Sequence, residues 1–229
     1  MKLPYPFKVC SAACAALGLA AALACGAASA STVSLQGSFQ DDDELLVIHF
    51  KLDQAEQVSA SSFSFGGGLN AAGQTIASGG FAPVLTLFLQ GFGPLVLARG
   101  SSRTCGVGSG NADPTSGFCW DANFSEWLSA GEYDLVLSQD GNEALGQSLA
   151  EGYQRTGEHD YTGWDYLGQP NQRFVMVDGT QRTGFWALDI TGAPIDLPEP
   201  GTALLALLGG LGLTAGTRQR QRLAQLQPA

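Results

Sequence analysis

Positive charge is what this sequence has least of. Lys and Arg together number 11 against 21 Asp and Glu, and His occurs only at 49 and 159. Between Ser31 and Glu199 the imbalance is steeper, six basic residues against all 21 acidic ones, a net charge of −15. A surface of that sign repels phosphate backbones and anionic lipid, which excludes nucleic acid as a partner. Histidine chemistry has little to draw on: there is no HExxH pair, P-loop, dinucleotide fingerprint or Cys with a histidine signature. Gly146-Gln147-Ser148-Leu149-Ala150 lacks the closing glycine of a nucleophile elbow. With 21 carboxylates in the chain, chance alone pairs some of them, so an acidic pair does not mark a glycosidase. The expectation is a chain that is not an enzyme, with a secreted hydrolase as the alternative.

Cysteine is also sparse once the chain is divided. Lys2 and Lys8 form a basic start, Val9 to Ala24 is an apolar run rich in Ala and Leu, and Ala28-Ser29-Ala30 has the small-x-small pattern read by signal peptidase. Residues 1–30 therefore read as a signal peptide cut after Ala30. A lipid-modified Cys25 is the alternative, since Ala22-Leu23-Ala24-Cys25 loosely follows a lipobox. Removing 1–30 removes Cys10, Cys14 and Cys25 and leaves Cys105 and Cys119, an even pair that implies a disulfide in an oxidising compartment. The chain-entropy model gives ~3 kcal/mol for closing a loop of about 15 residues. Two thiols without CxxC spacing make a poor zinc cage.

The other terminus is an uncharged Leu, Ala and Gly stretch from Gly201 to Gly216, about 24 Å long as a helix against a ~30 Å hydrocarbon core. It has no polar face, as a core helix would need. Arg218, Arg220 and Arg222 follow it, which keeps that end cytoplasmic and everything before Pro198 outside. Pro198-Glu199-Pro200 in front stays extended, because proline fixes φ and denies backbone donors. A permanent single-pass anchor and a removable address both fit this pattern.

The ordered set of Pro198-Glu199-Pro200, apolar helix and Arg218, Arg220 and Arg222, behind a signal peptide, resembles the PEP-CTERM sorting signal of Gram-negative bacteria. The resemblance implies transient recognition by exosortase, a membrane protease-transpeptidase that removes the tail. It also implies a setting in exopolysaccharide production, with the chain held first at the inner membrane and then passed to the cell surface or extracellular matrix. An acidic run, then "GGLN", "GGFAPVLTLF", "LSAGEYDLVLSQDGN" and a final "WALDIT" is similar to a set of PEP-CTERM proteins built on one β-sandwich. Asp43 to Leu52 and Ala130 to Leu137 also resemble strand starts of pre-peptidase C-terminal domains, small jelly rolls of secreted enzymes.

The middle, 31–196, has the size of one domain. "LLVIHFKL" alternates Leu46, Ile48, Phe50 and Leu52 against Val47, His49 and Lys51, the pattern of a half-buried strand. "QVSASSFSF", "PVLTLFLQ", "PLVLA", "EYDLVLS", "RFVMV" and "FWALDIT" read as further strands between Gly-rich turns. An all-β sandwich or jelly roll follows, with one short helix expected within Glu143 to Tyr153 and residues 197–229 as the transmembrane sorting segment.

Two binding sites are raised by composition. Asp41-Asp42-Asp43-Glu44 gathers carboxylates suited to Ca²⁺, the one cofactor the sequence suggests. Alternate residues of an extended segment point apart, so at most two of them share an ion and Asp140 or Asn142 would have to complete it. A solvated acidic edge is the other reading. Tyr161, Trp164 and Tyr166 cluster in "HDYTGWDYLGQ", where they form a stacking platform for sugar rings or fill the end of the sandwich. The functional expectation is an exported, non-enzymatic surface or matrix protein associated with exopolysaccharide, or a membrane-anchored Ca²⁺- or glycan-binding domain.

Overall fold

A computed structural model describes residues 31–100, 105 and 110–195. The expectations for the signal peptide and its cleavage site, for Pro198 to Pro200 and for the helix and arginines behind them lie outside these residues. Among the described residues no helix is long and apolar enough to cross a membrane.

The chain forms two four-stranded antiparallel sheets. One orders β1 (Thr32–Ser38), β10 (Phe185–Thr191), β3 (Glu56–Ser62) and β8 (Asn123–Leu128). The other orders β2 (Leu46–Leu52), β9 (Gly131–Gln139), β6 (Pro83–Leu89) and β7 (Gly93–Arg99). A two-stranded ribbon of β4 (Gly68–Leu69) and β5 (Thr75–Ile76) stands apart. Without the ribbon, successive strands pass back and forth between the sheets, apart from the β6–β7 hairpin within one of them, in the double Greek-key order of a jelly roll, in keeping with the all-β sandwich expected from the sequence.

Ile48, Phe50 and Leu52 of β2, Leu85 and Leu87 of β6, Leu135 and Leu137 of β9 and Leu188 and Ile190 of β10 meet in one core. β6 and β9 are buried on both faces, because Ala144, Leu149 and Tyr153 cover Phe88 and Val136 from outside. This accounts for the nearly unbroken apolar sequence of β6 and for the consecutive Leu135, Val136 and Leu137 of β9. Gly37 pairs with Trp186 across β1 and β10, and a Cβ there would lie 2.4 Å from the indole. A side chain at 37 would displace Trp186 from the core.

Two local expectations are corrected. "RFVMV" is not a strand: Val175 makes a single bridge to Gln181, and Phe174 has φ 55°, which breaks an extended run. The segment from Glu143 to Tyr153 holds only one 3₁₀ turn, Leu149–Glu151, while the α-helix lies later, at α1 (Tyr161–Leu167), in the stretch that carries the aromatic trio.

Strand direction gathers the long connections at one end. Segments 39–45, 63–82, 100–122 and 140–184 leave the sheets there, whereas 53–55, 90–92 and 129–130 make short turns at the other. Cys105 and Cys119 are joined, with Cα atoms 5.4 Å apart, within the normal span of a disulfide. The bond joins two points of the 100–122 connection at the loop-bearing end, where residues free of sheet geometry can be specialised.

Candidate functional site

The acidic run sits at this end in a turn, not in the extended segment expected, with the Glu44 N–H donating to the Asp41 carbonyl at 3.3 Å. Asp41 and Asp43 turn one way and Asp42 the other. Asp42 is fully buried. Its Oδ2 accepts the Thr162 N–H at 2.8 Å and the Thr162 hydroxyl at 2.6 Å, and its Oδ1 accepts the Phe174 N–H at 2.6 Å. Thr162 Oγ1 in turn accepts the Val175 N–H at 3.0 Å. Burial raises the Asp42 pKa against these hydrogen bonds. The expected metal ligand is instead a clamp that fastens α1 and the 174–175 segment to the edge of the sandwich.

On the other side, Asp41, Asp43 and His159 bring ligand atoms within 4.8 Å of one another. His159 Nδ1 lies 2.9 Å from Asp43 Oδ1 and 3.6 Å from Asp41 Oδ2. The hydrogen bond and charge of Asp43 raise the pKa of the exposed imidazole. The remaining valences are committed: Asp43 Oδ2 accepts the Gly157 N–H at 2.8 Å, and Arg173 Nε reaches Asp41 Oδ1 at 2.8 Å. Calcium takes six to eight oxygens. A group of two carboxylates, one imidazole and a guanidinium already neutralises itself and does not fit that ion.

The other two expected ligands are elsewhere engaged. Asn142 is fully buried, with its side chain donating to the Asp43 carbonyl and accepting the Arg155 N–H. Asp140 faces Arg99, 3.6 Å away, which also pairs with Glu143. Adding millimolar CaCl₂ is accordingly expected to leave the melting temperature unchanged. Calcium at 100 times its dissociation constant would add about 2.7 kcal/mol to stability, so a rise of several degrees contradicts this assignment.

The aromatic trio does not form one platform. Tyr161 is buried, donates its hydroxyl to the Asp140 carbonyl at 2.8 Å and carries Arg155 over its ring at 4.9 Å. Trp164 is 55% exposed. Tyr166 is half-buried, five residues beyond Tyr161 on α1, and borders a different feature.

That feature is a pair of adjoining clefts, absent from the sequence reading. One, of about 40 Å³, is bordered by Trp120, Gln139, Asp140 and Tyr166, and the other is about 120 Å³. Both share Trp120, Met176 and Val177. Trp120 follows the disulfide-held Cys119, and its indole is braced by Phe65 and Phe118 at ring separations of 6.5 and 5.9 Å. No local pattern announces this grouping, because its members come from 120, 139–140, 166 and 176–177. Only the tryptophan beside a cysteine hints at a rigid position.

Both histidines are paired with carboxylates. His49 Nδ1 meets Asp134 Oδ1 on the outer face of β2 and β9, and Gln90 Nε2 donates to the same oxygen at 3.1 Å. Among the described residues no hydroxyl or thiol hydrogen-bonds to either imidazole.

No protein-family model and no curated protein matches the chain. Among solved structures it is similar to the pre-peptidase C-terminal domain of a collagenase from Bacillus anthracis, with 12% identity and a TM-score of 0.32, over 69% of this chain and 88% of that one. Overlap at that level carries no residue role or activity from that domain to this chain.

Proposed function

We propose that this chain is an exported, non-enzymatic jelly-roll protein of the cell surface or extracellular matrix. It is made as a precursor held in the inner membrane, trimmed by signal peptidase, sorted by exosortase through Pro198-Glu199-Pro200 and associated afterwards with exopolysaccharide. The observation that carries the reading is the Cys105–Cys119 bond, formed by the two cysteines that survive removal of 1–30. Such bonds persist outside the reducing cytosol. Two further features support it: the strongly acidic surface keeps the domain soluble and away from nucleic acid, and the histidines are spent on ion pairs.

Fractionating the native host tests this. The chain is expected in the surface or matrix fraction, with Cys105 and Cys119 unreactive to a thiol reagent until reduced. Reduction is expected to lower the unfolding free energy by ~3 kcal/mol. Recovery from the cytosol with both thiols free would overturn the reading. Retention in the inner membrane would remove exosortase from it.

A further inference from the structure

We propose that the Trp120 cleft is a binding site for one uncharged sugar ring of a polysaccharide. Gln139 carries the argument. It ends β9, is only 4% exposed, borders the cleft, and its Oε1 has no hydrogen-bond partner. A buried amide oxygen left unpaired costs about 1–3 kcal/mol; Oε1 is shielded in the free chain, so the Gln139 amide turns toward the cleft to accept a ligand hydroxyl, which offsets that cost. Asp140 stands beside it as a second acceptor. Trp120 and Tyr166 border the cleft as aromatic side chains on which the C–H groups of a pyranose would stack while its hydroxyls reach the acceptors.

The wall opposite is built with strain. Phe174, at φ 55°, holds a conformation rare for a bulky residue, secured by its N–H bond to Asp42, and the chain then lays Met176 and Val177 along the cleft. Val177 is left 72% exposed at the mouth. Acceptors without a free cation disfavour an anionic sugar: Arg182, at the adjoining cleft, is paired with Asp113 at 2.9 Å. The clefts are smaller than the ~300–1,000 Å³ of sites that enclose drug-sized ligands, so the site takes one ring at a chain end or branch.

The choice of polysaccharide as ligand rests on the proposed matrix association, and the site rests on geometry. The test titrates the protein as isolated from its native host with oligosaccharides from acid hydrolysis of that host's exopolysaccharide, following tryptophan fluorescence. Saturable quenching is expected. Gln139→Met, which removes the free acceptor, and Val177→Arg, at an exposed position that cannot disturb the core, should each weaken binding about tenfold. Trp127→Ala, on exposed β8, should retain wild-type affinity. Absence of saturable binding, or wild-type affinity in both cleft variants, overturns the site. A chain that partitions with the matrix but fails this titration loses only the site. A chain found in the cytosol that passes the titration keeps the site and loses the matrix role.

Discussion

Replacing Asp42 by alanine is expected to lower the unfolding free energy by on the order of 4 kcal/mol. The carboxylate has no solvent to return to, and its loss strands three buried donors, the N–H and hydroxyl of Thr162 and the N–H of Phe174. Asp42→Asn keeps one acceptor oxygen and should lose about half as much, because its amide N–H₂ then faces a donor. The damage should be local before it is global. Amide hydrogens of Thr162 and Phe174 should exchange faster, while those of β6 and β9 in the centre of the sheet keep their protection. Urea denaturation with hydrogen exchange measures both. A loss under 1 kcal/mol for Asp42→Ala would mean that Asp42 is not the clamp described.

A second large effect concerns Asp121. It is fully buried where β3 gives way to the 63–82 connection, accepting the Ser62 hydroxyl at 2.9 Å, the Phe65 N–H at 3.0 Å and the Gly66 N–H at 2.6 Å. Burial outweighs these bonds and pushes its pKa from 3.8 up to about 6. The folded chain therefore takes up a proton before the unfolded chain does. Stability from this group rises as pH falls from 6 to 3.8, by roughly 3 kcal/mol, and is level above and below. Asp113 works the other way. Burial raises its pKa, but hydrogen bonds from Arg182 and Ser116 prevail and hold it at about 2, so its contribution is present above 3.8 and is lost as pH falls towards 2.

The denaturation midpoint should thus climb from pH 7 to about 4.5 and fall below about 3. Asp121→Asn opposes an N–H₂ to one backbone donor and should cost about 1–3 kcal/mol at pH 7. More tellingly, it should flatten the rise between pH 6 and 4. Relief of the −15 net charge also favours acid pH, and that part persists in the variant, so the difference between the two curves isolates Asp121. Parallel curves would show that another group titrates.

The strands that could be read were those with a face to bury. Ile48, Phe50 and Leu52 alternate on β2, and the apolar residues of "PVLTLFLQ" and "EYDLVLS" marked β6 and β9 as strands, though not as the central pair of their sheet. β1 and β8 were missed. Both are edges of one sheet, bonded on one side only, and "TVSLQGS" and "NFSEWL" carry few inward apolar residues. "RFVMV" looked like a strand by composition, but the N–H of Phe174 is claimed by a carboxylate 132 residues away. The same carboxylate, 120 residues from Thr162, anchors α1, whose Gly and aromatic content gives little intrinsic helix propensity. Long-range side-chain bonds of this kind leave no local signature. At the acidic run, Asp42 parts from Asp41 and Asp43 through a turn that the extended reading did not contain, and the pairing of Asp43 with His159 and of Asp41 with Arg173 had no local signal either.

Export and sorting are the centre of this account, and intact mass with C-terminal peptide mapping tests them most directly. The protein would be isolated from its native host beside a Pro198→Ala, Pro200→Ala variant. The account predicts a wild-type chain beginning at Ser31 and ending between Pro198 and Gly201, and a variant that keeps Leu204 to Ala229 in the membrane. If both chains retain Gln219 and Arg220, the tail is an anchor and exosortase sorting is contradicted.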